Sequence, residues 1–362
     1  MSLNARRSKS LSPNGLCLGP AVRVRSRIRM MHTERPIRGR AGEASKGDPV
    51  MRGIGVIEFG GPEVLRLVDL PEVHAGQGEV RIRVHAATVN PTDLGLRNGS
   101  RAEALRAVPP PYVPGMDIAG VIDEVGPGTA TDLAVGDAVI AMVVPGGAHG
   151  GYRESIVLAA DAVVRAPRAA SMAEASTLPM NGLTARQSLD QLGLRPGQTI
   201  AVTGAAGCYG GYVVQLAKAE GLRVIADASP ADETLVRGLG ADIVVPRGDD
   251  IAAQIRKVAP EGVDGLADGA TQRELAVGAI RDGGAFASVR GWAGNDERGI
   301  TFHRTSVREY DHRRDLLDRL RAQAEAGALT LRVAATFPPE QAAEAHRRLE
   351  ARGTRGRCVI VF

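Results

Sequence analysis

The chain has 362 residues and a formal net charge of +4; 44% of its residues are hydrophobic, but only 3% are aromatic. This length allows two domains, and the composition is that of an ordinary globular protein. Because aromatic rings are scarce and no apolar run approaches the length of a membrane-spanning helix, neither a base-stacking nucleic-acid surface nor a membrane segment is expected.

Residues 1–50 form a basic head that is rich in Arg, Ser, Gly and Pro. The head holds a surplus of eight positive charges, so the rest of the chain is slightly acidic and its charge does not indicate nucleic-acid binding. We interpret the head as a disordered arm, or as an over-extended start with initiation at Met51. A transit peptide is the alternative, because such peptides are rich in Arg and Ser and poor in acidic residues.

Residues 51–174 are predicted to form a β-rich domain. In the stretches RGIGVIEF and GEVRIRVHAATVN, apolar and polar residues alternate and β-branched residues are frequent, as in half-buried antiparallel strands. Further strand-like stretches, PPPYVPGMDIAGVIDEVGPG and VGDAVIAMVV, contain or follow Gly and Pro turns. Turns at this spacing favour a series of short strands.

Residues 175–299 are predicted to form an α/β domain with a doubly wound parallel sheet. A helical stretch, SMAEASTLPMNGLTARQSLDQLGL, opens with a capping Ser171. Strands and helices then alternate, which indicates a parallel sheet with right-handed crossovers. The strands are TIAVTGA, LRVIADA, ADIVVP, VDGLADG and AFASVRG, and the helices between them are GGYVVQLAKAEG, PADETLVRGLG, DDIAAQIRKVA and TQRELAVGAIRDGG. Residues 300–362, with two charged helices and a last strand RCVIVF, are expected to return to the β-rich domain.

A glycine-rich loop lies between the first strand and the first helix of this alternating region. It consists of Gly204, Ala205, Ala206, Gly207, Cys208, Tyr209 and Gly210. At Gly207 the missing Cβ lets the backbone approach a pyrophosphate, and Gly210 allows the helix to pack against the strand. The N–H groups at the helix N-terminus can then bind the anion. The loop therefore predicts a dinucleotide site, and a tight turn without a ligand is the alternative.

Residues after the second strand of this region bear on the choice between NADH and NADPH. Asp227 follows the loop by about 20 residues, where an acidic residue binds the ribose hydroxyls and repels a 2′-phosphate. Ser229 could instead donate to that phosphate, and Arg237 or Arg247 could pair with it. These residues do not decide between NADH and NADPH.

The three cysteines, Cys17, Cys208 and Cys358, are far apart in the sequence. They indicate neither a disulfide framework nor a zinc-binding cluster, so we expect a reducing, cytoplasmic setting. Cys208 lies in the glycine-rich loop, where a thiol at a helix N-terminus can be reactive. The plainer interpretation is a small side chain that fills space.

Five stretches follow one another in the order of a known family: VHAATVNPTDLGLRNG, PYVPGMDIAGVIDEVGPG, LPMNGLTARQSL, TGAAGCYGG and RGRCVIVF. Over residues 51–362 the chain resembles the zinc-independent quinone oxidoreductase (zeta-crystallin-like) branch of the medium-chain dehydrogenase/reductase superfamily. The resemblance implies a GroES-like catalytic domain and a Rossmann domain, with cofactor and substrate in the cleft between them. It also implies a homodimer that uses NADPH to reduce quinones or other α,β-unsaturated carbonyl compounds.

The resemblance also bears on zinc. Zinc-dependent relatives carry a Cys at the place of Asn90 and a His at the place of Met116, and neither Asn nor Met replaces those ligands. The block of four structural cysteines found in such relatives is missing from this sequence. We therefore expect no metal, and we expect Asn90 and Met116 to line the substrate pocket.

By the same resemblance, Asn90 faces the nicotinamide and the substrate, and Asp93 fixes the loop that carries Asn90. Many relatives have a Tyr two residues after that Asp, where this chain has Gly95, which suggests an altered substrate pocket. The remaining expected cofactor contacts are Thr184, Ser288 and Arg290.

The implied reaction is transfer of a hydride from the nicotinamide to the β-carbon of a conjugated carbonyl compound, or to a quinone. Without a metal, hydrogen-bond donors must stabilise the developing enolate, and the Asn90 amide is the first candidate. The proton then comes from water. Two alternatives stay open: a catalytically weak NADPH-binding regulatory or RNA-binding protein and, among enzymes, an enoyl-thioester reductase.

Overall fold

The computed structural model describes residues 49–362 of the protein. The predicted basic arm or over-extended start at 1–50 lies outside the described residues, apart from its last two positions. Among the described residues, no helix combines the length and the apolar composition needed to cross a bilayer.

The first part of the described chain is built mainly from antiparallel strands. Its strands are β1 (Val50–Gly55), β2 (Arg66–Pro71), β3 (Glu79–Thr88), β4 (Asp117–Val125), β5 (Ala138–Met142), β6 (Ser155–Ala159) and β7 (Val163–Arg165); two short helices, α1 (Pro91–Arg97) and α2 (Ala102–Leu105), connect β3 to β4. β1 and β2 form a two-stranded sheet, whereas β3 pairs with both β4 and β6 in a larger sheet. Along β3, Val80, Ile82 and Val84 point inward, which explains the apolar–polar alternation of its sequence.

The middle of the chain alternates helices and strands, as the sequence pattern predicts. It comprises α3 (Met172–Ala175), α4 (Pro179–Leu192), β8 (Thr199–Thr203), α5 (Cys208–Ala219), β9 (Arg223–Ala228), α6 (Glu233–Gly238), β10 (Ile243–Pro246), α7 (Ile251–Val258), β11 (Val263–Asp268), α8 (Glu274–Val277), β12 (Ile280–Ser288) and β13 (Thr301–Arg304). Its six strands form one parallel sheet in the order β10-β9-β8-β11-β12-β13. This order is typical of doubly wound dinucleotide-binding sheets. Helix α3 begins at the predicted cap, because the Ser171 side chain accepts a hydrogen bond from the Glu174 N–H.

The end of the chain returns to the first part. It comprises α9 (Arg314–Glu325), β14 (Val333–Phe337), α10 (Ala342–Glu350) and β15 (Arg357–Val361). β15 pairs antiparallel with β3 and parallel with β14. The larger sheet therefore has seven strands in the order β14-β15-β3-β4-β5-β7, with β6 also paired to β3.

Two predictions differ from the structure. The predicted helix at 271–284 is reduced to the short α8, because Ile280 already begins β12 and pairs with Val263 of β11. The predicted return of the chain to the β-rich domain at residue 300 is placed too early. β13 is still the sixth strand of the parallel sheet and pairs with β12. In both places, pairing with a neighbouring strand outweighs the local sequence preference.

Helices α3 and α4 join the seven-stranded sheet to the parallel sheet. Thr88 at the end of β3 donates to the carbonyl oxygen of Ser176, just after α3 (Oγ1–O, 2.7 Å). At the start of α4, the Met180 N–H donates to the carboxylate of Asp117 at the start of β4 (2.5 Å). α4 also packs along α5, so it touches both the larger sheet and the helix that follows the glycine-rich loop.

Candidate active site

The glycine-rich loop connects β8 to α5 at the carboxyl end of a central parallel strand. Gly204 has a φ of +69°, and a Cβ there would lie 2.9 Å from the carbonyl carbon of Gly269. A Cβ on Gly210 would lie 2.4 Å from the carbonyl oxygen of Gly204. Both positions therefore require glycine for the loop to close against the helix.

The N-terminus of α5 offers an anion-binding surface. Its N-cap is Gly207, which has no side chain to cap the first N–H groups of this 12-residue helix. Arg332, just before β14, donates to the carbonyl oxygens of Ala206 (3.0 Å) and Gly207 (2.7 Å), which adds positive charge beside the helix end. The arrangement fits the pyrophosphate of a dinucleotide. Sequence reasoning misses Arg332 because it lies 125 residues from the loop that it contacts.

The remaining loop positions tie the loop to its surroundings. Three of them are buried: Ala205, Ala206 and Cys208. The Tyr209 hydroxyl lies 2.8 Å from Ser188 Oγ of α4. Ser188 Oγ also lies 3.2 Å from Thr305 Oγ1, in the segment that follows β13. A hydroxyl chain therefore connects the loop to the end of the parallel sheet.

Asp227, near the end of β9, has a side chain with 0% exposure. Its Oδ1 accepts a hydrogen bond from the Ala205 N–H (3.1 Å), and its Oδ2 accepts one from Arg247 Nε (3.0 Å). The carboxylate thus connects β9 to the glycine-rich loop and to Arg247. It does not stand free at the strand end, where the sequence places a partner for the ribose hydroxyls.

A second charged cluster lies just after β9. The Ser229 hydroxyl donates to Asp232 Oδ2 (2.5 Å), and Arg355 Nη2 donates to the same oxygen (2.6 Å). Arg355 comes from the turn before β15, 123 residues from Asp232, and no local pattern indicates this contact. The two clusters together place two arginines and a hydroxyl beside two aspartates.

The three further predicted cofactor contacts have different surroundings. The Thr184 hydroxyl donates to the Met180 carbonyl oxygen one turn earlier in α4 (2.5 Å). Ser288, at the end of β12, is buried, whereas Arg290 two residues later is exposed. Their contact with a cofactor stays a prediction.

Asn90 lies directly before α1 and is completely buried. Its Nδ2 donates to Asp117 Oδ2 (2.6 Å) and, over a longer 3.4 Å, to the carbonyl oxygen of Thr88. Its Oδ1 accepts from Asn181 Nδ2 of α4 (3.1 Å), and Arg357 of β15 donates to Asn181 Oδ1. Two distant segments, β4 and α4, therefore bind the Asn90 side chain, and β15 reaches it through Asn181. Sequence reasoning singles out only Asn90 among these residues.

Asp93 anchors the backbone around Asn90. Its Oδ2 accepts from the Asn90 N–H (2.8 Å) and its Oδ1 from the Gly115 N–H (3.0 Å), while the Tyr152 hydroxyl donates to Oδ2 (3.3 Å). Burial raises the pKa of Asp93 to about 6 and the pKa of Asp117 to about 7, because a buried carboxylate loses its hydration. Both groups therefore change charge near neutral pH.

Met116, which is predicted to line the substrate pocket, is 1% exposed and packs in a core cluster shared with α4 and α5. Within residues 49–362, no group of three or more His, Cys, Asp or Glu side chains is placed to hold a metal ion. The expected absence of zinc, and the role of Met116 in a pocket, stay predictions.

Sequence comparisons place the chain among dehydrogenases. The alcohol dehydrogenase GroES-like domain matches residues 76–168, and the zinc-binding dehydrogenase family matches residues 239–360. The quinone oxidoreductase of Mus musculus is 36% identical over 190 residues, so the match spans 50% of this chain and about half, 54%, of that relative. The Homo sapiens quinone oxidoreductase is 29% identical over 344 residues, or 87% of this chain and 99% of that protein. An alcohol dehydrogenase of Geobacillus stearothermophilus is 34% identical over 267 residues, or 66% and 77%.

Solved structures agree with these matches. An NAD-dependent alcohol dehydrogenase is 30% identical with a TM-score of 0.77, covering 86% of this chain and 100% of its own. A mycobacterial protein solved in complex with NADPH is 28% identical with a TM-score of 0.75, again covering 86% and 100%.

The seven-stranded sheet, the parallel sheet and the glycine-rich loop define an oxidoreductase of the medium-chain dehydrogenase/reductase superfamily. The relatives and solved structures include several quinone oxidoreductases, the branch that the sequence resembles. The predicted GroES-like and Rossmann architecture is confirmed.

Proposed function

We propose that this chain uses a nicotinamide nucleotide, preferentially NADPH, to reduce quinones or other α,β-unsaturated carbonyl compounds without zinc. The observation that carries the proposal is the glycine-lined N-terminus of α5 at the carboxyl end of β8, which fits a pyrophosphate. A bound nucleotide supplies a hydride for the β-carbon of the substrate, and the α-carbon of the resulting enolate takes a proton from water. The quinone oxidoreductases among the relatives favour this class of substrate.

The charges after β9 and β10 support NADPH. The Asp227 carboxylate is bound by the Ala205 N–H and by Arg247, so it is not free to repel a 2′-phosphate. Ser229 and Arg355 lie nearby and both donate to Asp232, and the guanidinium of Arg355 has further N–H groups for a phosphate. The similar mycobacterial protein in complex with NADPH favours the same choice, and NADH is the alternative.

Asn90 is the proposed donor to the developing enolate. One N–H of its amide is directed at Asp117, whereas the other makes only a 3.4 Å bond to the Thr88 carbonyl, which a substrate oxygen can replace. Asp93 and Asn181 act as positioning residues, because they hold the backbone and the amide oxygen of Asn90. The amide is thus oriented before the substrate binds.

The test is a cofactor and substrate screen with the full chain. NADPH and NADH are each offered with a simple quinone, an enone and an enoyl thioester, and oxidation of the nucleotide is followed. We expect NADPH to be oxidised by the quinone or the enone faster than by the thioester. If calorimetry shows that neither nucleotide binds, the proposal is wrong.

Zinc independence and the role of Asn90 have separate tests. Metal analysis of the active protein should find no stoichiometric zinc, and chelators should leave turnover unchanged. Asn90→Ala should lower kcat by about 10²–10³-fold, the usual effect of removing one oxyanion donor. Unchanged kcat with several enones, in a variant that still binds NADPH, would exclude Asn90 as the donor.

We also propose a homodimer in a reducing cytoplasm. In the described chain, Cys208 and Cys358 are buried and free of disulfide bonds, which fits a reducing compartment. β13 is the last strand at one edge of the parallel sheet, and an exposed strand edge favours pairing with another chain. The proposed partners are therefore a small-molecule substrate and a second copy, with neither membrane nor nucleic acid required. Cell fractionation tests the location.

A further inference from the structure

A small cavity lies between the first part of the chain and the end of the parallel sheet. Its volume is about 120 Å³, which is below the size of a pocket that encloses a whole drug-sized ligand. A cavity of this size has room for only one end of such a ligand. Its apolar or uncharged lining consists of Leu96, Ala104, Leu105, Val108, Pro145 and Gly146, and its two charged lining residues are Arg101 and Arg308.

In the described part of the protein, no acidic side chain forms an ion pair with the two charged residues of this cavity. Within residues 49–362, no acidic side chain lines the cavity either. The acidic side chain of Glu103 on α2 is engaged by Arg106 (3.7 Å). Two guanidinium groups thus face one space without a carboxylate between them.

The surroundings of Arg308 show the effect of this imbalance. Loss of hydration and, next, the charge of Arg101 lower the pKa of Arg308, and Asp311 acts in the opposite direction. An arginine stays protonated in proteins, so both charges persist. Arg308 is exposed and Arg101 is half-buried, so water screens part of their repulsion. An anion placed between the two guanidinium groups removes that repulsion and accepts their N–H donors.

Two elements of the cavity wall, α1 and the segment after β13, also lead to the proposed active site. Leu96 belongs to α1, the helix that Asn90 directly precedes. Arg308 follows β13 by four residues. In the same segment, Thr305 shares a hydrogen-bonding partner on α4 with Tyr209 of the glycine-rich loop. A ligand in the cavity therefore contacts two elements that lead to the proposed enolate donor and to the proposed cofactor loop.

We propose that Arg101 and Arg308 bind a carboxylate carried by the conjugated carbonyl substrate, while the apolar wall takes its carbon stem. This inference rests on the proposed function. A planar carboxylate presents two oxygens, which match the N–H groups of guanidinium in a way that a single point charge does not. The substrate class is thus an unsaturated carbonyl compound with a carboxylate at its far end, in preference to a neutral quinone.

The experiment compares one neutral substrate with its charged counterpart on the full chain. The neutral substrate is 4-phenyl-3-buten-2-one, and the charged one carries a para-carboxylate on the ring. The variants are Arg101→Gln, Arg308→Gln and the double variant. The matched control is Arg195→Gln, because Arg195 is exposed in the turn before β8, at the opposite end of the parallel strands.

The native protein should favour the carboxylate in kcat/KM by about tenfold or more, mainly through KM, as expected of charge-assisted hydrogen bonds. Each variant should remove most of this preference and leave kcat/KM for the neutral enone within about twofold of the native value. Each variant should also weaken the dependence of kcat/KM for the carboxylate substrate on salt. The control should behave like the native protein. Equal kcat/KM for the two substrates in the native protein, or equal losses for both in the variants, would overturn the proposal. A preference for an enoyl-coenzyme A thioester without any preference for the carboxylate would overturn it as well.

A binding measurement separates this inference from the proposed function. If no substrate is reduced, the proposed function fails, but the saturated product, 4-(4-carboxyphenyl)butan-2-one, can still be titrated by calorimetry. Binding to the native protein that is lost in the double variant, and lost when the carboxylate is a methyl ester, supports the carboxylate site. Absence of binding to the native protein, or equal binding of the ester, refutes it.

Discussion

Asp93 and Asp117 are two buried carboxyl groups that both hydrogen-bond to Asn90. Asp93 accepts from its backbone N–H, and Asp117 accepts from its side-chain amide. Burial raises the pKa of each carboxyl group, whereas the hydrogen bonds and the charge of Arg357 act in the opposite direction. The charge of the network around Asn90 therefore changes with pH near neutrality.

We expect this network to make the protein less stable as the pH rises. On folding, the Asp pKa rises from its ordinary value of 3.8 to about 6 for Asp93 and to about 7 for Asp117. Between pH 3.8 and these folded values, the folded state therefore binds more protons than the unfolded state. The stability from this source is fully present below the unfolded pKa and is lost as the pH rises through the folded values. Urea unfolding between about pH 5 and pH 8 should show the fall.

The variant Asp117→Asn should reduce this dependence of the unfolding free energy on pH, because the titrating group is gone. The matched control is Asp249→Asn on the exposed surface, which should leave the dependence unchanged. A slope that is the same in the native protein and in Asp117→Asn would show that Asp117 does not titrate in this range.

We expect Arg247 to favour binding of NADPH over NADH. Replacing it with Gln removes a donor to a 2′-phosphate and also frees the Asp227 carboxylate from its ion pair. Arg247→Gln should therefore weaken NADPH binding by about tenfold and leave NADH binding nearly unchanged. Calorimetry with both nucleotides measures the ratio.

Arg237→Gln is the matched control, since Arg237 is exposed on α6 and pairs only with Glu233 among the described residues (2.7 Å). This variant should keep the native ratio of the two affinities. If Arg247→Gln weakens NADH and NADPH equally, Arg247 supports the loop through Asp227 and does not recognise the phosphate.

At the scale of elements, the junction of β8 and α5 depends on glycine. In Gly210→Ala the new Cβ meets the carbonyl oxygen of Gly204 at 2.4 Å, and a backbone atom cannot turn away as a flexible side chain can. We expect a loss of about 1–3 kcal/mol in the free energy of unfolding, the usual effect of overpacking, together with weaker nucleotide binding. Urea unfolding and calorimetry measure the two effects.

Gly238→Ala provides the matched control for this element. Gly238 is exposed at the end of α6, and a Cβ there meets nothing within 4 Å. Its replacement should leave nucleotide binding unchanged and stabilise the helix by up to about 1 kcal/mol. If Gly210→Ala behaves in the same way, the helix does not pack as closely on the loop as the structure indicates.

The elements were predictable to different degrees. Strands β8, β9 and β11 are mostly apolar and are followed by helices, so their local sequence already indicates that they are buried on both faces. The stretch 271–284 has apolar residues at helical spacing, but Ile280 pairs with Val263 and Ala285 with Gly265 across an irregular register. Spacing along one segment cannot show such pairing, and so the helix prediction there is wrong.

For the whole molecule, we expect a homodimer formed through β13. This strand ends the parallel sheet on one side, and β10 ends it on the other. Light scattering should give about twice the chain mass of 37.9 kDa. Hydrogen exchange should show protected backbone amides in β13 and faster exchange in β10, since only the paired edge is covered. A monomeric mass, or equal exchange at both edges, would exclude this dimer.

Local sequence was enough to predict the two kinds of sheet and the glycine-rich loop, whereas the proposed role of Asn90 came from the family resemblance. These features depend on neighbouring residues: alternation sets which face of a strand is buried, and glycine spacing sets where a loop can meet a helix. Family resemblance added the expected cofactor and substrate, and the comparisons bear out the oxidoreductase class.

Folding brought together what the linear order keeps apart. Asp117 and Asn181 reach Asn90 from β4 and α4, Arg332 reaches the loop from the end of the chain, and Arg101 meets Arg308 across a cavity. Each contact joins segments that are distant in sequence, and a lone Arg, Asp or Asn has no pattern that identifies its partner. Chain connectivity specifies local conformation, whereas the charge, burial and pairing of a side chain depend on which distant segments pack beside it.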